Sequence, residues 1–193
     1  MRIENPPRDL PTIVERRFEW SRAVPEAFFA REEQRIAEAC WAMAQRFQQG
    51  GRLLAFGNGA WASDARHVAV EFVHPVIVGK RALPALALTS NDPALSFADQ
   101  LRVLARPQDI ALGFSASDNC AAIVAALAEA RSMGLLTLGL MGGDGEALQE
   151  ESAAFFFHVH SHDPLVIQET HETLYHVLWE LVHIFFEHEG LLT

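Results

Sequence analysis

The chain has 193 residues, 50% hydrophobic and 21% charged, enough apolar material for one domain with a sizeable core and too much for a disordered or collagen-like chain. Its 25 Asp and Glu against 15 Lys and Arg leave a formal charge of −10, the wrong sign for a protein that binds nucleic acid by neutralising phosphates. Two cysteines (Cys40 and Cys120), no apolar run of membrane-spanning length and no signal-like start predict a soluble cytoplasmic protein without disulfides, membrane or nucleic acid.

Pro6, Pro7 and Pro11 predict an irregular start, followed by helical periodicity over residues 13–23. Pro25 is expected to end that element before a longer helix over 28–49, since an interior proline removes a hydrogen bond and crowds the preceding turn. In the longer helix Ile36, Cys40, Met43 and Phe47 recur at steps of three and four, forming one apolar stripe that Gly50 and Gly51 terminate. That stripe, with Ile13, Phe18 and Trp20 before it, is expected to need a partner surface. Residues 1–50 are therefore expected to be an N-terminal helical arm that joins subunits in a homo-oligomer.

From residue 52 onward, short apolar runs alternate with helix-like stretches. Strands are expected at 53–56, 85–88, 110–114, 135–140 and 153–159, with helices at 63–73, 93–105, 121–133 and 166–188. Runs that are apolar on both faces argue for a parallel sheet covered on both sides. The predicted fold is α/β: a doubly wound five-stranded parallel sheet in residues 51–193, behind the helical arm. Ligands of such sheets bind outside the carboxyl ends of the strands, which singles out the loops at 57–62, 89–93, 115–120 and 141–145.

The first of these loops, Gly57-Asn58-Gly59, permits a tight turn and close approach of a ligand to backbone at a helix start. It is equally readable as a plain strand-to-helix turn, because neither a third glycine nor a P-loop lysine follows. In the third loop, Ser115, Ser117 and Asn119 offer hydroxyls, an amide and backbone N–H groups for a phosphate, with Asp118 opposing an anion. The same residue types are the commonest helix caps, and Asp118 is expected in that role. On the helix that follows the first loop, His67 and Glu71 stand four apart, able to meet one metal ion or share a proton, or simply to form a surface pair. The last helix carries Gln168, His171, Glu172, Tyr175, His176, His183 and His188. Spacing favours Glu172 with His176 as an i,i+4 pair, while Gln168 and His176 lie about 12 Å apart along a helix and about 80° around it. The alternative is a polar face interleaved with the core residues Leu178, Leu181, Val182 and Phe185.

Taken together, the arm, Gly57-Asn58-Gly59, the stretch from Asp64 to Glu71, Asn91-Asp92, Ser115 to Asn119, and Ile167 to His171 with His176 resemble the sugar isomerase (SIS) domain family. Within that family the match is to the phosphoheptose isomerases, and it covers nearly the whole chain. The resemblance implies a zinc ion, one per subunit, on His67, Glu71, Gln168 and His176, which selects Gln168 over Glu172. It implies a sugar-phosphate site lined by Asn58, Gly59, Asn91, Asp92, Ser115, Ser117, Asn119 and Gln168. It implies conversion of sedoheptulose 7-phosphate to a heptose 7-phosphate through an enediol, with Glu71 as base and His176 as acid, in a homotetramer. The chain departs from the family pattern at Trp61, Pro75, Ala116, Asp118, Cys120 and Leu165. Those departures suit an alternative: a non-catalytic SIS module binding a sugar phosphate or a protein partner, as a relative that regulates the bacterial replication initiator does.

Overall fold

Helix α1 (Leu10–Gln48) runs unbroken through Pro25 in the computed structural model, which describes residues 9–89, 95–145 and 152–188. The expected break does not form. An interior proline costs about 3 kcal/mol, but the flanking turns are held on both sides. Val24 packs against the core and Phe28 is buried in it, while Arg17 reaches Glu169 of the last helix at 2.7 Å. The expected partner surface for Ile36, Cys40, Met43 and Phe47 is also corrected, because all four are buried in the chain's own core. Apart from Trp41, the large exposed apolar groups of this helix lie toward its start instead, where Phe18 is 70% and Trp20 61% exposed.

Five parallel strands follow: β1 (Leu53–Gly57), β2 (Ala85–Leu88), β3 (Ile110–Phe114), β4 (Leu136–Gly143) and β5 (Phe155–His160), in spatial order β2-β1-β3-β4-β5. Between them lie α2 (Trp61–Val73), α3 (Phe97–Leu104) and α4 (Ala121–Ser132), and α5 (Pro164–Glu187) closes the described chain. The two faces of the sheet carry separate cores. One is built with α1, α2 and α5, through Met43, Val68, Phe72, Leu174 and Tyr175. The other is built with α3 and α4, through Leu101, Ile123 and Leu127. This doubly wound arrangement is the predicted one.

The register of the sheet decides where the crevice opens. The chain moves from β1 outward to β2 and then back across to β3, so the order reverses at β1 and β3, and a ligand crevice lies beyond their carboxyl ends. Strand β4 extends three residues past its expected end, to Gly143. Gly142 makes that possible: a Cβ there would stand 2.5 Å from Ile167 and 2.7 Å from the Ala116 carbonyl oxygen. Helix α3 starts later than expected, at a reciprocal cap between Ser96 and Asp99, and the expected loop at 89–93 lies outside the described residues from residue 90 on.

Candidate active site

Helices α2 and α5 lie side by side on one face of the sheet and touch in successive rungs. Gln168 Nε2 donates to Asp64 Oδ2 at 2.9 Å, Tyr175 Oη and His67 Nδ1 are 2.8 Å apart, and His176 Nε2 is 3.1 Å from Glu71 Oε1. Beyond them, the Trp179 indole N–H donates to the Glu71 carbonyl at 3.0 Å. On α2 these side chains are three and four apart, so they share the face turned to α5.

The last of the side-chain rungs gathers three ligand-type groups. His67 Nε2 is 3.4 Å from the same Glu71 oxygen that meets His176, and the two imidazole rings stand 5.5 Å apart at 81°. One ligand atom from each of His67, Glu71 and His176 lies within 4.8 Å of the others, the one such group among the described residues. The second Glu71 oxygen, Oε2, is buried with no hydrogen-bond partner. A carboxylate oxygen removed from water and left unpaired is costly, and a bound cation would satisfy it. Two imidazoles and a carboxylate are also the donor types that zinc takes. The residues fit a divalent cation. Asp64 and Glu172 add further negative charge beside it, and burial raises the Asp64 carboxyl above its ordinary range while the Gln168 bond partly offsets this.

A cavity of about 350 Å³ opens at the ends of β3 and β4, lined by Ser117, Asp118, Asn119 and Gly143 together with the Asp144–His162 pair. Its loop is tied by its own side chains: Ser115 Oγ accepts from the Ser117 N–H at 3.1 Å, and Ser117 Oγ donates to Asn119 Oδ1 at 2.5 Å. Asp118 does not take the expected cap position. The N-cap of α4 is Cys120, which makes no side-chain cap bond, and Asp118 is buried with its carboxyl carbon 3.5 Å from where a Gly143 Cβ would stand.

The SIS domain family model matches residues 18–142. A phosphoheptose isomerase of Desulfovibrio desulfuricans is 38% identical over 167 residues, 81% of this chain and 79% of that protein. One from Thermodesulfovibrio yellowstonii is 35% identical over 186 residues, 90% of this chain and 92% of its own. The chain belongs to the SIS-domain family, in its phosphoheptose isomerase branch. Solved phosphoheptose isomerases from Neisseria gonorrhoeae and Francisella tularensis share the fold. Their TM-scores are 0.77 and 0.76 at 27% and 28% identity, covering 90% of this chain and 98% and 97% of theirs.

Within this SIS domain the expected site residues distribute as follows. His67, Glu71 and His176 meet; Gln168 stands on the Asp64 rung, where its Nε2 is committed and its Oε1 is the atom left for a ligand. Asn58 and Gly59 form the turn before α2, with Gly59 at φ +59° and the Asn58 carbonyl accepting from the Trp61 N–H at 3.1 Å. Ser115, Ser117 and Asn119 line the loop after β3, and Asn91 and Asp92 lie outside the described residues. The Glu172–His176 pair that spacing favours is not the contact made: His176 turns to Glu71, and Glu172 Oε1 stands 3.8 Å from His67 Nδ1. Nor is the histidine-rich helix a polar face throughout. His171 and His183 are buried, the ring nitrogens of the latter lying 2.7 and 2.9 Å from the Trp179 and Arg81 carbonyl oxygens, one of which takes its ring N–H. Tyr175, Glu172 and Asp64 carry contacts that spacing did not assign; the signal was two matched sets of i,i+3 and i,i+4 polar residues on two separate helices.

Proposed function

We propose that the protein interconverts sedoheptulose 7-phosphate and a heptose 7-phosphate. The observation that carries this reading is the meeting of Glu71 with His176 at 3.1 Å, in a chain of the phosphoheptose isomerase branch. Aldose–ketose isomerisation needs a base at the carbon acid and an acid at the carbonyl oxygen. Glu71 takes the proton from C1 of the ketose while His176 gives one to the C2 oxygen, leaving an enediol. Glu71 then returns its proton to C2, and the C1 hydroxyl proton passes to His176, which restores both groups and leaves the aldehyde at C1. Burial of Glu71 on the α2–α5 seam keeps water from competing for that proton.

Zinc is the ion this reading assigns to His67, Glu71, His176 and the Gln168 amide oxygen, and when bound it would supply Lewis-acid stabilisation of the developing negative oxygen. Asn58, Gly59, Asn91, Asp92 and Gln168 hold the sugar, while Ser115, Ser117, Asn119 and the N–H groups opening α4 hold the phosphate. The exposed Ile13, Val14, Phe18 and Trp20 support a homo-oligomer, taken here as a tetramer, with residues 1–50 as its arm and 51–193 as the SIS domain. Among the described residues no helix is long and apolar enough to cross a membrane, and the small-molecule substrate suits the cytoplasm.

The test is turnover of sedoheptulose 7-phosphate by purified, zinc-supplemented protein, followed by exchange of the C1 proton with deuterated solvent. Glu71→Gln should abolish both product and exchange. A wild type that binds the sugar phosphate but exchanges no proton would favour the non-catalytic module instead.

A further inference from the structure

We propose that Tyr175 and Glu172 are positioning residues for His67, fixing the ring so that Nε2 alone faces Glu71 and His176; this rests on the metal-binding reading above. An imidazole offers two nitrogens, and a metal-ligating histidine needs the lone pair of one and a partner for the proton on the other. Here the two are sorted by geometry. Nε2 is 3.4 Å from Glu71 Oε1, whereas Nδ1 is 2.8 Å from the Tyr175 hydroxyl and 3.8 Å from Glu172 Oε1.

The tyrosine is a rigid partner. It is fully buried, its ring meets Phe114 edge-on at 6.0 Å, and it meets the His67 ring edge-on at 5.5 Å and 79°. His67 itself is 41% exposed, so nothing in the core confines its ring as this contact does. With the ring proton on Nδ1, that N–H donates to the tyrosine oxygen, and the Glu172 carboxylate beyond it draws the same proton. Nε2 is then left as a lone-pair donor. Partners placed behind a ligating histidine in this way raise its basicity and hold its orientation, and losing them lowers metal affinity by about 10–100-fold.

The experiment uses the full chain stripped of metal, titrated with Zn²⁺ against a chromophoric chelator, for wild type, Tyr175→Phe, Glu172→Gln and the double variant. Proton NMR of the zinc-loaded, ¹⁵N-histidine-labelled protein follows the His67 Nδ1–H signal. The proposal expects one tight site in wild type, about tenfold weaker zinc binding in Tyr175→Phe and a larger loss in the double variant, near the top of the 10–100-fold range. It also expects an Nδ1–H signal protected from solvent exchange in wild type and lost in Tyr175→Phe, with metal-free melting temperatures that do not follow this order. Equal zinc affinity and an equally protected Nδ1–H in all four proteins would overturn the positioning role while leaving the metal site standing. A wild type that binds no zinc would overturn the metal-binding reading, and this proposal with it.

Discussion

The indole of Trp61 meets the imidazole of His171 edge-on, with ring centroids 6.5 Å apart and planes at 88°. Trp61 stands at the start of α2, near the end of the 57–62 loop. Its ring is nevertheless stored inward, 7% exposed and part of the core with Phe114 and Tyr175. The bulk is therefore spent on the packing around His171 and not on the sugar crevice.

That burial sets a pH dependence. His171 is enclosed on all sides, and burial pushes its pKa down to about 4, only partly offset by the Met141 carbonyl at 3.3 Å. The unfolded chain takes the proton near pH 6.5 and the folded chain not until about pH 4, so between these values the unfolded state binds more protons and stability falls as pH falls. The loss approaches about 1.4 kcal/mol per pH unit, about 3 kcal/mol over the window, and levels off below pH 4. Urea unfolding from pH 7.5 to 4 should show a shallower slope for His171→Asn than for wild type. Parallel curves would contradict this account.

Metal content should depend on two histidines and not on a third. Protein purified without chelator should carry close to one divalent ion per chain, reduced in His67→Ala and in His176→Ala. His183→Ala should keep its ion but lose about 2–3 kcal/mol of stability, because it opens a cavity and removes the ring N–H that one of the two neighbouring carbonyls accepts. Equal metal in wild type and the His67→Ala, His176→Ala double variant would remove the assignment.

Asp118 places a buried carboxylate on the wall of the cavity that also holds Ser117 and Asn119. A negative charge there repels a phosphate through a medium far less screening than water. Calorimetry should show Asp118→Gly binding sedoheptulose 7-phosphate about threefold to tenfold more tightly than wild type. An unchanged dissociation constant would put the phosphate elsewhere.

The two cysteines should separate cleanly by reactivity. Cys40 is fully enclosed, and burial pushes its thiol up to about 12, whereas Cys120 is half-buried at the start of α4 beside the ligand loop. An aromatic disulfide reagent should titrate one thiol per native chain and two in denaturant, and saturating sugar phosphate should slow the native reaction. Two fast thiols in the native protein would show that α1 does not seal the core at Cys40.

Much of this architecture was legible because its signals are local. Strands buried on both faces read as short apolar runs, and β2 and β3 fall at their expected bounds. Pro25 reads as a break because its penalty is local, while the compensation, burial of Phe28 and the Arg17–Glu169 contact, comes from distant chain. The stripe through Ile36 and Cys40 was visible, but periodicity does not tell an intramolecular cover from a partner's surface. At the site, the His67–Glu71 spacing was legible on one helix. The partnership with His176 lies 105 residues away from Glu71 and entered through family resemblance alone. Spacing paired Glu172 with His176 on the same helix, and it had no means of showing that α2 offers each of them a closer partner.

Because the Glu71–His176 contact joins the second helix to the last one described, it has a consequence for biosynthesis. A chain emerging from the ribosome exposes α2 and its half of the cluster first, and all five strands precede α5 in the chain. Every incomplete chain ending before residue 176 therefore lacks the partner that Glu71 meets, however well its sheet has formed. The Glu71–His176 pair thus assembles only in chains whose synthesis has run past residue 176.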